Sequence, residues 1–300
     1  MIELCFVNQM DSEGQDYLKN LRQIAHEPEH LRWIYVAGER VSYPMHGFVW
    51  VEDGNIVGNL SLIPFFREGA WRYLIANVAV HPDFRQRGIA RQLTQKALEY
   101  VQEHNVFSVW LQVREDNEVA LNLYRSLGFE ERSRRATWMS NSAEIRPKPT
   151  HTEVKILPRQ TTDWRRQFEW LRTTYPPEIA WYLPFYPNRF KPNMWRKMFD
   201  WLSERRMAHW SAYCEKKLIG VATWEIGPRA VDNLWLAISP HYESLAIQTL
   251  LQYIRHNLTN WHALQINYPA GRAEEAFTHS VFEMRNVLIW MRINFKPQYG

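Results

Sequence analysis

The stretch Tyr73-Leu74-Ile75-Ala76-Asn77-Val78-Ala79-Val80, then His81-Pro82-Asp83-Phe84-Arg85-Gln86-Arg87-Gly88-Ile89-Ala90-Arg91, then Gln92 to His104, decides how this chain is read. It reads as strand, loop and helix. Apolar residues at Ile89, Leu93, Ala97, Leu98 and Val101 recur at helical spacing and give the helix one buried face. The first-turn amides of a helix lack intrahelical partners, and its dipole is positive at that end. A glycine there lets the backbone approach an anion closely, so Gly88 ahead of the helix makes a site for a diphosphate. Arg85, Arg87 and Arg91 add positive charge. By itself this pattern also fits an ordinary glycine turn with a solvated basic rim.

Around this stretch, 300 residues at about 150 per domain suggest two domains, each long enough to bury its own core. The composition is 46% hydrophobic and 23% charged, with a mean hydropathy of -0.46, which is globular. No apolar run approaches the ~20 residues of a membrane helix, and Met1-Ile2-Glu3-Leu4-Cys5 lacks the basic start of a secretory signal. The expectation is a cytoplasmic protein without a membrane partner. Cys5 and Cys214 lack metal or disulfide spacing, so no metal is expected. Residues 1–150 carry 17 Lys+Arg against 19 Asp+Glu, and the remainder 19 against 13. The basic residues of the second half are scattered rather than clustered, which argues against a nucleic-acid partner.

The chain contains a worn repeat. Phe48 to Glu52, a turn at Asp53-Gly54-Asn55, and Ile56 to Leu62 form a hairpin pattern. Ser211 to Cys214, Glu215-Lys216-Lys217 and Leu218 to Trp224 echo it, with Gly220 in register with Gly58. Ala79-Val80-His81-Pro82 is matched by Ala237-Ile238-Ser239-Pro240, and Leu111-Gln112-Val113 by Leu264-Gln265-Ile266. Counting on without a gap pairs Phe129-Glu130 with Phe282-Glu283. Between the copies, Arg146-Pro147-Lys148-Pro149-Thr150 has linker composition. The expected domains are therefore 1–145 and 153–300, joined by a linker at 146–152.

The spacing Arg85-x-x-Gly88-x-Ala90 directly after Val78-Ala79-Val80 resembles the acyl-CoA motif of the GNAT superfamily of N-acetyltransferases. A second motif, Asn117-x-x-Ala120-x-x-x-Tyr124-x-x-x-Gly128-Phe129, is similar to the family pattern in order and distance. The likeness covers residues 1–140 closely. It implies an α/β fold of two tandem GNAT-like domains, each a mixed, mostly antiparallel central sheet flanked by helices. It also implies acetyl-CoA as cosubstrate: the strand backbone at Val78, Ala79 and Val80 along the pantetheine, and the loop Gln86, Arg87, Gly88, Ile89, Ala90 and Arg91, with Arg85, around the diphosphate. Asn117 would contact the cofactor arm, and Tyr124 would lie near the thioester sulfur as the general acid. Read from the residues alone, Asn117 is a loop or cap residue and Tyr124 a helix tyrosine packed on a sheet.

Acetyl transfer to an amine needs a neutral nitrogen, a stabilised oxyanion and a proton for the departing thiolate. Tyr124 is the candidate for the last, and a backbone N–H between Val78 and Val80 for the second. The strand from Tyr73 to Asn77 has no carboxylate to act as base, leaving Glu68, His81 or a water held by Asn77. Direct attack on the thioester is implied, since neither cysteine lies in the motifs. The acceptor is a small-molecule or peptide amine. The rival reading is a non-catalytic CoA-binding or sensing protein.

In the second half the chemistry is missing. Ungapped, Asn117 falls on Ala270, Tyr124 on Phe277 and Gly128 on Val281, and His241 to Leu245 offers neither glycine nor arginine but places Glu243 where a diphosphate would lie. Residues 153–300 are therefore expected to keep the fold without the cofactor site. This half holds ten of the 15 tryptophans, most of them expected in the core. The aromatic and proline-rich stretch from Tyr175 to Pro187 suits a loop that lines an acceptor cleft or covers the surface between domains.

Overall fold

The structure is a computed structural model, and it describes residues 46–67, 70–104, 106–140, 153–180, 183, 185–192, 207–227, 231–258 and 262–295. The expected linker at 146–152 lies outside them, as do Trp181, Trp195, Trp201 and Trp261. The chain divides into two compact units that do not follow the sequence halves. Of the described residues, those within 46–113, 117–132 and 291–295 form the first, and those within 114–116 and 133–290 the second.

The first unit is built on strands β1 (His46–Glu52), β2 (Asn55–Arg67), β3 (Ala70–Val80) and β4 (Ser108–Arg114), with helices α1 (Ile89–Glu103) and α2 (Glu118–Ser126). β1, β2 and β3 are antiparallel neighbours, and β4 is parallel to β3. Beside β4 lies the end of the last strand, Met291–Asn294, and Phe295 N–H donates to the Phe107 carbonyl at 3.0 Å. α1 buries Ile89, Leu93, Ala97 and Val101, the face that its apolar spacing predicts.

β5 (Glu130–Ser140) starts in the first unit and continues into the second. The second unit adds β6 (Val154–Pro158), α3 (Trp164–Thr174), a single turn α4 (Pro177–Ala180), β7 (Met207–Cys214), β8 (Lys217–Glu225), β9 (Val231–Ile238), α5 (Glu243–Asn257), β10 (Ala263–Pro269), α6 (Glu274–His279) and most of β11 (Glu283–Asn294). Its strand order is β11-β5-β10-β9-β8-β7-β6. β5 is thus completed from the first sequence half but pairs with β10, from Ser140↔Leu264 to Arg135↔Pro269.

Arg135 shows how firmly β5 is held in the second unit. Only 2% of it is exposed. Its Nε donates to Asn267 Oδ1 at 2.7 Å, its Nη1 to the Thr174 carbonyl at 2.7 Å and its Nη2 to the Asn267 carbonyl at 3.0 Å, while the guanidinium lies 5.1 Å from the centre of the Tyr175 ring. Burial pushes its pKa down to about 10, which keeps it charged at neutral pH. A buried cation with only neutral acceptors is tolerable because each bond is charge-assisted.

The repeat is visible in geometry. β1 and β2 slip register between Trp50↔Gly58 and Val51↔Ile56, and β7 and β8 slip at the matching place, between Ala212↔Gly220 and Tyr213↔Leu218. A methyl on Gly58 would sit 2.8 Å from Ile89 Cγ2 and 3.1 Å from Leu93 Cδ1. On Gly220 it would meet Ala246 Cβ and Leu250 Cδ1, each at 3.2 Å. In both units the missing side chain lets a helix lie directly on the sheet.

The turn after α2 recurs as well. Gly128 has φ 89°, its N–H donates to the Arg125 carbonyl, and Phe129 N–H donates to the Tyr124 carbonyl at 3.0 Å. This is a Schellman end, closed by a left-handed residue. After α6, Val281 N–H donates to Thr278 and Phe282 N–H to Phe277 in the same pattern, but the left-handed residue is now a valine at φ 61°. A β-branched side chain there is strained. Val281→Gly is therefore expected to stabilise the protein by about 1 kcal/mol, the relief of left-handed strain exceeding the entropy that glycine adds to the unfolded chain. Thermal unfolding should show a midpoint higher by about 2–4 °C, and a lower midpoint would contradict it.

Candidate active site

β3 and β4 pair only from Arg72↔Ser108 to Ile75↔Leu111, although β3 runs on to Val80. On its other side, β3 is paired with β2 through a bulge. Asn59 is opposite Ala79 and Ser61 opposite Ala76, so Asn77 and Val78 together face Leu60. Asn77 takes the left-handed conformation, φ 53°. Its carbonyl accepts from Asn59 Nδ2 at 3.0 Å, and its own Nδ2 donates to Ser61 Oγ at 3.2 Å. A bulge bends its strand and re-aims the residues after it, here just where β3 and β4 part.

Past the bulge, His81 N–H donates to the Val57 carbonyl and Ala79 faces Asn59. Strand alternation then turns the backbone groups of Val78 and Val80 towards the side that β4 has left. Arg85 Nε reaches the Val80 carbonyl there at 3.2 Å.

The loop Arg85-Gln86-Arg87-Gly88 follows at the end of the strand and is exposed. Gln86 and Gly88 are left-handed, φ 63° and 78°, and Gly88 opens α1 with no side chain capping the first-turn amides. A methyl on Gly88 would meet nothing nearer than Gln92 Nε2 at 4.0 Å, so open space lies in front of the helix end. The basic residues are anchored. Arg87 pairs with Glu52 at 2.9 Å and lies over the Phe84 ring, and Arg91 Nη2 donates to Ser126 Oγ at 2.6 Å.

Asn117 is the N-cap of α2, its Oδ1 accepting from Ala120 N–H at 3.1 Å, as its residue type alone suggested. This uses the oxygen and leaves the amide NH2 as a donor. Tyr124 is 6% exposed, with its ring edge against Phe129. Its hydroxyl has no hydrogen-bond partner among the described residues. Burial pushes its pKa up to about 12, so at neutral pH it is a proton donor.

Of the three expected bases, Glu68 lies outside the described residues. His81 is turned to the loop, with Nδ1 accepting from Asp83 N–H at 3.4 Å and the ring against Phe84. Asn77 is built into the bulge. Sequence reasoning missed that bulge and its two supports, Asn59 and Ser61. The available signal was polar residues interrupting apolar strands, with asparagine the side chain that best tolerates the left-handed region.

In the second unit β9 and β10 also part early, pairing only from Val231↔Ala263 to Asn233↔Gln265, but β9 has no bulge against β8. Its split is filled from within. Leu236 N–H, the counterpart of Val78, donates to Tyr175 Oη at 3.3 Å. Glu243, at the start of α5, accepts from Tyr268 Oη at 2.7 Å and pairs with Arg272 at 2.6 Å. Phe277, in the place of Tyr124, is stacked on Trp138 at 4.7 Å. The stretch from Tyr175 to Pro187 therefore does not line a cleft in its described part: Tyr175 and Phe185 are buried with Phe190 against Val221, Trp235 and Ala237. Tyr175 and Phe185 close this unit's own core. Trp224, Trp235 and Trp290 are buried as expected.

The sequence profile of the acetyltransferase (GNAT) family matches residues 9–129. The [ribosomal protein bS18]-alanine N-acetyltransferase of Salmonella typhimurium is 40% identical over 109 residues, which span 32% of this chain and 74% of that protein. This chain belongs to the GNAT acetyltransferase family. The N-alpha-acetyltransferase RimI of Mycobacterium tuberculosis is 35% identical over 77 residues, covering 26% of this chain and 47% of that protein. Mycothiol acetyltransferase of Thermobifida fusca is 31% identical over 132 residues, covering 39% and 35%. Among solved structures, a GCN5-related N-acetyltransferase from Sphaerobacter thermophilus superposes with a TM-score of 0.55 at 14% identity, over 90% of this chain and 86% of that one. That likeness shows the fold: mixed, mostly antiparallel sheets with flanking helices, in two GNAT-like domains. The protein is an N-acetyltransferase. Among the described residues, no helix is long and apolar enough to cross a membrane and no cluster of metal-ligating side chains occurs.

The bulge gives a test of its own. Asn77→Val puts a β-branched residue at a left-handed position and removes the bond to Ser61, and should cost about 2 kcal/mol in urea unfolding. Asn77→Gly keeps the backbone conformation and should cost less than about 1 kcal/mol. Equal losses in the two variants would show that backbone conformation at residue 77 is not what matters.

Proposed function

We propose that this GNAT protein uses acetyl-CoA, that its chemistry runs in the first unit, and that it transfers the acetyl group to a primary amine by direct attack on the thioester. The observation that carries the reading is the parting of β3 from β4 beside an open, glycine-led helix N-terminus. The amides from Gln86 to Arg91 would hold the diphosphate, with Arg85 and Arg87 adding charge. The backbone of Val78, Ala79 and Val80 would bind the pantetheine arm, and Asn117 would offer its free NH2 to it. A backbone N–H from this stretch would stabilise the oxyanion. Tyr124, neutral and buried, would hand its proton to the departing thiolate sulfur while the amine nitrogen bonds to the carbonyl carbon. The second unit supports the assignment by contrast, since Tyr175, Glu243 and Phe277 occupy the corresponding positions.

The absent carboxylate on β3 bears on the acceptor. At pH 7.5 an α-amine, with a reference pKa near ~7.8, is about one-third neutral, whereas a lysine near ~10.4 is neutral in only about one molecule per thousand. A reaction that draws on no carboxylate from β3 is better suited to the α-amine. The names of the bS18-alanine and RimI relatives make a peptide with an N-terminal alanine the first acceptor to try, and a cytoplasmic protein substrate fits the same reading.

Isothermal titration with acetyl-CoA should give one site per chain, and Gly88→Glu should weaken binding at least tenfold through charge and backbone conflict at the helix end. Two sites, or unchanged affinity in the variant, would overturn the placement. Tyr124→Phe should lower kcat with an alanine peptide by about 10²-fold or more while leaving the Kd for acetyl-CoA within twofold. With Tyr124 titrating near 12, the acid must stay protonated across the accessible range. The rate should therefore rise with pH as the amine deprotonates and show no fall from this residue below about pH 10. A descending limb near pH 8 that Tyr124→Phe removes would contradict the assignment of a raised pKa.

A further inference from the structure

Two hydrogen bonds join the helix end that would receive the diphosphate to the helix that carries Tyr124. Arg91 stands in the first turn of α1, and its Nη2 donates to Ser126 Oγ, in the last turn of α2, at 2.6 Å. Ser126 Oγ in turn donates to the Leu123 carbonyl at 2.6 Å. That carbonyl and the Tyr124 N–H belong to one planar peptide group, so the serine holds the group from which Tyr124 departs. Within the helix the same oxygen accepts a longer bond, from Leu127 N–H at 3.2 Å. The arginine also brings its positive charge to the C-terminal end of α2, where the helix dipole favours it.

The second unit makes the same joint by other means. The register that matches Tyr124 with Phe277 matches Leu123 with Ala276. The helix residues that meet Gly58 and Gly220, Ile89 with Leu93 and Ala246 with Leu250, match Arg91 with Gln248. Ser280 Oγ donates to the Ala276 carbonyl at 2.7 Å, with a longer contact to the Gln248 carbonyl at 3.4 Å. In both units a serine hydroxyl thus reaches the equivalent carbonyl of its own helix and the equivalent turn of the neighbouring one. In the second unit the serine is fully buried and both acceptors are backbone. In the first, the serine is exposed and its neighbour is a charged side chain from the open helix end.

We propose that Arg91 and Ser126 are positioning residues of the acetyl-transfer site, tying α2 to the turn that holds the cofactor and so fixing Tyr124 relative to the bound thioester. This rests on Tyr124 being the general acid and on the diphosphate binding at the start of α1. Proton transfer needs the hydroxyl within hydrogen-bond reach of the sulfur, so a loosened α2 costs turnover rather than cofactor affinity. Both side chains are exposed, and loss of their bond should leave thermal stability nearly unchanged.

The test uses the full chain with acetyl-CoA and an alanine-starting hexapeptide. Ser126→Ala, which leaves the Arg91 charge in place, should lower kcat about tenfold and change the Kd for acetyl-CoA by less than about twofold. Ser126→Thr keeps the hydroxyl and should stay within about threefold of the unaltered kcat. In a Tyr124→Phe background, Ser126→Ala should cost less than about twofold, since a group that acts through Tyr124 then has no acid to position. Losses of the same size in both backgrounds, equal losses in the alanine and threonine variants, or weaker acetyl-CoA binding at constant kcat would overturn the proposal. If the unaltered protein shows no transfer, or Tyr124→Phe leaves kcat unchanged, the functional reading fails by itself. Hydrogen exchange then still decides on the joint. Ser126→Ala and Arg91→Ala should each speed exchange across residues 118–130 and leave α5 as it is, and unchanged exchange across 118–130 would reject the joint.

Discussion

β3 can hydrogen-bond to β4 for only part of its length, and the layout of the candidate site follows from where that pairing stops. Two parallel strands that part leave backbone groups facing a gap, and such groups must find partners, since an unmet amide or carbonyl in a protein interior is costly. In the first unit a bulge at Asn77, braced by Asn59 and Ser61, turns the strand at the parting point. The backbone of Val78 and Val80 then faces the gap, and the strand delivers the chain into the loop that opens α1. One local irregularity thus sets a strand edge beside a helix N-terminus.

The second unit meets the same constraint and answers it internally. Its strands also part, but Tyr175 supplies an oxygen to the Leu236 amide, and Glu243 supplies the negative charge at the start of α5, held by Tyr268 and Arg272. A carboxylate at a helix N-terminus is favourable for the same reason that a phosphate is. The fold is preserved because its packing is preserved. Gly220 still admits Ala246 and Leu250 against the sheet, and even the turn that follows Tyr124 in the first copy persists around Val281, at the expense of backbone strain.

The two compact units exchange strands relative to the repeat in the sequence. β5 leaves the half in which it starts and buries Arg135 in the second unit, while the end of β11 returns to the first. A β-strand offers the same backbone donors and acceptors whatever precedes it in the chain, so pairing is decided by register and side-chain fit rather than by sequence proximity. The domain division expected at 146–152 followed the repeat in the sequence; the compact units describe the packing.

Much of the site was legible in the residues because its requirements are local. The helix face of α1, the left-handed Gly88, the cap at Asn117 and the spacing that carries Tyr124 and Gly128 each depend on neighbours within a few positions, so composition and periodicity announce them. The reading of Tyr175 to Pro187 as a loop lining a cleft or covering the surface between domains did not foresee the burial of Tyr175 and Phe185, because an aromatic loop has the same sequence signature whether it meets a ligand or closes a core. The bulge at Asn77 was hidden for a related reason, since it exists only through pairing with a strand some 16 residues away. The sequence by itself determined the family, the repeat and the glycine-led start of α1, which are written in short-range patterns. Only the tertiary structure decided which strand completes which unit and what fills the second split, because each of these is a contact between residues that the chain holds far apart.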